Sequence, residues 1–86
     1  MAMTAQDFES AIQSHFRRAT NQGRSDIEVL SGALHREIGG YPGPNHRMPV
    51  CCEVMYRLMG PSDVLLYAPP KGKGATLRIR YQLPRP

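Results

Sequence analysis

The segment Ala75–Leu83 (ATLRIRYQL) alternates without a break, with Leu77, Ile79, Tyr81 and Leu83 in one set of positions and Thr76, Arg78, Arg80 and Gln82 in the other. Successive side chains of a strand point to opposite faces, so the pattern predicts a strand with one face on a core and one in water. Such a strand needs a pairing partner and a cover for its apolar side. Asp63–Ala68 (DVLLYA) is the nearest strand-like run, and the turn Pro69–Gly74 (PPKGKG) between the two predicts a hairpin. The cover has to come from the residues upstream.

Those residues read as helices. Thr4 and Asp7 have the spacing of a capping box, and Ala5, Phe8, Ile12, Phe16 and Ala19 follow at helical intervals, until Asn21-Gln22-Gly23 ends the run. Arg24–Ile38 has two readings. In one, Ser25 and Glu28 open a single helix. In the other, Ile27–Leu30 is a short strand and Ser31 caps a shorter helix carrying Leu34 and Ile38 inward. The second is preferred, because Ile27 and Val29 are β-branched and Ser31-Gly32 is a poor helix interior. Gly39-Gly40 stops the helix in either case. After the turn Tyr41–Asn45 (YPGPN), Pro49 has to lie in the first turn of another helix, which therefore starts at His46 to Met48. Cys51, Val54, Met55 and Leu58 fall on its inner side and His46, Pro49, Glu53, Tyr56 and Arg57 on the other, and Gly60-Pro61 ends it.

With 86 residues there is room for one domain, expected to span 1–86 with residues 84–86 as a frayed tail. A chain this short buries only about 60 to 65% of its unfolded surface, which excludes large enzyme architectures. No run approaches the roughly 20 apolar residues of a membrane span, and Asp7 and Glu9 stand where a signal peptide would be basic and then apolar. A cytoplasmic protein is expected. The cysteines, Cys51 and Cys52, are adjacent, so an ordinary disulfide between them is disfavoured and a reducing compartment fits.

Charge is unevenly distributed along the chain. Residues 1–43 carry four basic and five acidic side chains and residues 44–86 carry seven and two, so the formal charges are −1 and +5. This asymmetry points toward a polyanionic partner, although a basic solvated surface has the same signature.

Helix, short strand, helix, turn, helix and hairpin is an order that resembles winged helix-turn-helix domains. The block Leu34–Met55 (LHREIGGYPGPNHRMPVCCEVM) also resembles small uncharacterised bacterial proteins, which adds no activity. The first resemblance implies an α+β winged helix-like fold with three helices, a strand after the first of them and a C-terminal β-hairpin as the wing. It further implies a recognition helix starting near His46, whose N-terminal residues reach base edges in DNA-binding members. Asn45, His46 and Arg47 would be those residues, with Tyr56 and Arg57 further along the face. Lys71 and Lys73 at the hairpin tip, with Arg78 and Arg80 on its strand, would meet phosphates or the minor groove. Two features depart from the pattern. Glu53 lies in the middle of the proposed face, and the 39–49 connection is longer than the 3 or 4 residues of a simple helix-turn-helix.

Plainer readings stand beside these. Arg78 and Arg80 also suit a solvated strand face, and Asn45 could cap the helix while Arg47 pairs with a carboxylate such as Glu37. Adjacent cysteines suit a zinc site poorly; Cys51 reads as core and Cys52 as partly buried beside it. A cysteine nucleophile assisted by His35 or His46 lacks an orienting third group, and Asn45-His46 with His35 only weakly resembles small metal nucleases. Gly72–Thr76 (GKGAT) does not meet the phosphate-loop pattern, yet its glycines let backbone N–H groups approach a phosphate. The expectation is therefore a non-catalytic, double-stranded-DNA-binding domain without metal, cofactor or small-molecule substrate, of the kind a transcription or DNA-transaction factor uses. A small protein-interaction or dimerisation module on the same fold is the alternative.

Overall fold

The fold was obtained as a computed structural model, which describes residues 4–39, 43 and 46–85. The elements run α1 (Ala5–Asn21), β1 (Asp26–Leu30), α2 (Ser31–Ile38), α3 (Met48–Leu58), β2 (Val64–Tyr67) and β3 (Arg78–Gln82). The three strands form one antiparallel sheet in the order β1-β3-β2, so the strand with the cleanest alternation is the central one. Leu77, Ile79 and Tyr81 are fully buried and Leu83 nearly so, as the alternation requires. Tyr81 lies 5.0 Å from the Phe16 ring and donates its hydroxyl to Met55 O at 2.7 Å.

Local signals account for most element boundaries. Asp7 N–H donates to Thr4 Oγ1 at 3.2 Å and Thr4 N–H to Asp7 Oδ2 at 2.8 Å, the reciprocal bonds of a capping box. Phe8, Ile12, Phe16 and Ala19 are the buried stripe of α1. Each large apolar side chain taken out of water there contributes about 1.5 to 3 kcal/mol before entropy is counted. Residues 26–30 form a strand, as preferred, and that strand pairs with β3 from Asp26↔Gln82 to Leu30↔Arg78. Pro49 lies in the first turn of α3, where no intrahelical N–H is needed. Among the described residues, no helix is long and apolar enough to cross a membrane.

Three expectations are corrected. Ser31 does not cap α2. It lies at the first helical position, fully buried, and its hydroxyl donates to the carbonyl of Gly74. Cys52, expected to be partly exposed, is fully buried because the 68–77 loop folds back over it; Gly74 N lies 3.3 Å from its Sγ. Arg85, assigned to a frayed tail, is anchored. Its guanidinium bonds both Asp63 oxygens at 2.8 and 2.9 Å and Leu58 O at 2.7 Å, and lies over the Phe16 ring. Of the YPGPN turn only Gly43 is among the described residues.

Asp63 joins the ends of the sheet. Its side chain is almost completely buried and also accepts the N–H groups of Gly60 at 2.7 Å and Gln82 at 2.8 Å. Burial alone would raise its pKa. The Arg85 guanidinium and the two backbone N–H groups outweigh that and hold the carboxyl below the usual carboxylate value.

Candidate nucleic-acid interface

The 68–77 loop between β2 and β3 does not project from the molecule; it is tied down along α2 and α3. Gly32 N–H donates to Ala75 O at 2.9 Å, and a Cβ at Gly32 would stand 2.8 Å from that same oxygen, so only glycine permits this approach. On α3, the Tyr56 hydroxyl donates to Gly72 O and the Cys52 thiol to Gly74 O. Lys73 Nζ reaches Glu53 at 2.7 Å. Gly72 takes a φ of 82°, which turns the loop back toward the helix. Lys71 and Lys73 are thereby held on the α3 side of the sheet, and Glu53 has a cation beside it.

Arg78 and Arg80 lie on the opposite face. Both reach Glu28 of β1, at 3.8 and 3.3 Å, and all three side chains are about half exposed. Asp26 and Gln82 pair on the same outer face. Two arginines are balanced there by Asp26 and Glu28, so the acidic half of the sequence neutralises part of the basic half through β1–β3 pairing. Arg57 is likewise engaged, with Glu9 of α1 at 2.6 Å. The nine residues expected to contact nucleic acid therefore do not form one patch. Tyr56, Lys71 and Lys73 come together, Arg57 sits against α1, Arg78 and Arg80 lie across the sheet, and Asn45 is outside the described residues.

The start of α3 is built by histidines. His35, fully buried, accepts Arg47 N–H at its Nε2 (2.9 Å) and lies with its Nδ1 3.1 Å from Gly39 O, which fixes the ring proton on Nδ1. Met48 N–H donates to His46 Nδ1 at 3.3 Å, so His46 supports the helix start with the nitrogen it would otherwise offer to a base. Arg47 is exposed and makes no side-chain ion pair among the described residues. It does not take Glu37 as its partner, because that carboxylate lies 2.8 Å from His15 Nε2.

Cys51 is fully buried on the inner side of α3. Burial first, and the neighbouring Cys52 second, push its pKa up to about 12, and the thiol donates to Ser31 O. Among the described residues no three His, Cys, Asp or Glu side chains gather as a metal-holding group. The acidic partners Glu9 and Glu28 were missed from the sequence because pairing them with Arg57 and Arg80 requires the helix packing and the sheet register. No protein-family model, curated protein or solved structure matches the chain.

Proposed function

We propose that this chain is a winged helix-like domain that binds double-stranded DNA without catalysis, presenting α3 to the major groove and the 68–77 loop as the wing beside it. The observation that carries the reading is the latch of that loop onto α3 through Tyr56 and Cys52. Helix and loop form one preorganised surface, so binding a duplex need not first order the wing. The element order, identical to that of the resemblance, supports the same reading.

Arg47 at the start of α3 and Lys71 and Lys73 on the loop supply the phosphate contacts. Arg78 and Arg80 are left out of the surface, since they face away and share Glu28. The test is fluorescence anisotropy of the full chain with a labelled random duplex between about 50 and about 200 mM salt, where three phosphate contacts give a slope of log K against log salt of about −3. Absence of duplex binding at the lower salt overturns the reading.

A further inference from the structure

Two backbone N–H groups at the start of α3 are received by imidazoles. Arg47, the residue before the helix, supplies no side-chain cap; its own N–H goes to Nε2 of His35, and Met48 N–H goes to Nδ1 of His46. A hydroxyl or carboxylate cap would accept at any pH near neutrality, whereas an imidazole nitrogen accepts only while it carries no proton. The two histidines differ in freedom. His46 is exposed and can turn its ring to water. His35 is fully buried, packed edge-on against Phe8 at 5.0 Å, and its Nδ1 is already committed to Gly39 O at 3.1 Å. A second proton on that ring has to sit on Nε2, where it meets the Arg47 N–H at 2.9 Å, donor against donor.

We infer that His35 is an acid-sensitive catch on the start of α3: protonation of Nε2 releases Arg47 and the first turn of the helix, while the Nδ1 bond to Gly39 O holds. That turn depends on Arg47, whose carbonyl accepts Cys51 N–H at 3.0 Å. The surrounding charges favour release. The positive end of α3 and the Arg47 side chain stand on the Nε2 side, with the His46 ring 6.2 Å away and Arg36 next along α2. The carboxylates of the packed elements are engaged elsewhere, Asp7 with Thr4 and Glu9 with Arg57 on α1, Glu37 with His15 across α1 and α2, and Glu53 with Lys73 on α3. Cys51 turns its thiol to Ser31 O. The closed form carries no proton on Nε2 and the open form takes one, so acid favours opening. With the ordinary histidine value of about 6.5 in the open form, a fall from about pH 7.5 to about pH 5.5 raises the open fraction about tenfold. The inference is independent of DNA binding, and either can fail alone.

Amide hydrogen exchange of the full chain by NMR at those two pH values, corrected for the intrinsic rate, tests it. Arg47 should lose protection about tenfold, and at both pH values it should exchange faster than Ile12 and Ile79, as local opening requires. His35→Gln, whose amide oxygen accepts without titrating, should remove the loss, and His46→Gln and His15→Gln should keep it. If His35→Gln does not fold, the ring nitrogens of the wild type decide, since Nε2 should gain its proton over the pH range in which Arg47 loses protection. Constant Arg47 protection, exchange of Arg47 at the same rate as Ile12 and Ile79, a loss that persists in folded His35→Gln or vanishes in either other variant, or an Nε2 that gains its proton outside that range overturns the inference.

Discussion

Lys71 and Lys73 are followed within the same hairpin by Arg78 and Arg80, yet the two pairs face opposite sides of the sheet and are held by different means. The lysines ride on a loop fastened to α2 and α3 by buried or half-buried bonds from Ser31, Gly32, Cys52 and Tyr56. The arginines stand in water and share one exposed carboxylate, Glu28. Basic residues that are neighbours in a sequence need not make one basic surface. Here the alternation of β3 sends its arginines outward while the loop turns its lysines back over α3, and β1 returns acidic charge to the outer face alone.

The largest effect should come from removing the buried carboxylate that ties β3 and the chain after it to the start of β2. Asp63→Ala leaves the Arg85 guanidinium and the Gln82 N–H without their buried acceptor, and should cost about 3 kcal/mol in denaturant unfolding. The folded carboxyl titrates below its unfolded value, so its contribution is complete above the ordinary Asp pKa of about 4 and is lost as the pH falls through the folded value. Wild-type stability should therefore drop on acidification below about pH 4, and the Asp63→Ala protein should show less of that drop.

The loop side is tested next by Gly32→Ala. Its Cβ would press on Ala75 O, costing about 1 to 3 kcal/mol in thermal or denaturant unfolding and loosening the lysines without touching either of them. Glu53→Gln should act in the other direction on binding. It removes the acidic charge from the α3 face and frees Lys73, raising duplex affinity about two- to five-fold by anisotropy, the equivalent of one exposed ion pair. The smallest effect belongs to the sheet face, where Glu28→Gln should change stability by less than about 0.5 kcal/mol, since both its ion pairs are exposed.

Local patterns made the elements legible. The capping box of Thr4 and Asp7, the Pro49 helix start and the alternation from Leu77 to Leu83 each depend on neighbours in the sequence, and each was read with its inward residues. What was not legible depends on distant partners. Nothing in Pro84-Arg85-Pro86 signals that Arg85 reaches Asp63 and Leu58 O, because that contact exists only when β3 ends beside α3. Ser31 looked like a cap because its position is right for one; the returning loop offers it the carbonyl of Gly74 instead. The charge split between the chain's halves was correct as arithmetic, yet it did not survive in space once Glu9 met Arg57 and Glu28 met Arg80. The same distance dependence concealed the apolar edge, since only the strand order places β2 at the side of the sheet, with β3 as its one strand neighbour among the described residues.

The central claim is that a polyanion is met by the loop and α3 and not by the outer face of the sheet. Two variants of equal charge change decide it: Lys71→Gln with Lys73→Gln, and Arg78→Gln with Arg80→Gln, each titrated with the same duplex across a range of salt. The lysine pair should flatten the salt slope by about 2, and the arginine pair should leave it within about 0.5 of the wild type. Equal flattening by both pairs, or flattening by the arginine pair alone, would contradict the account.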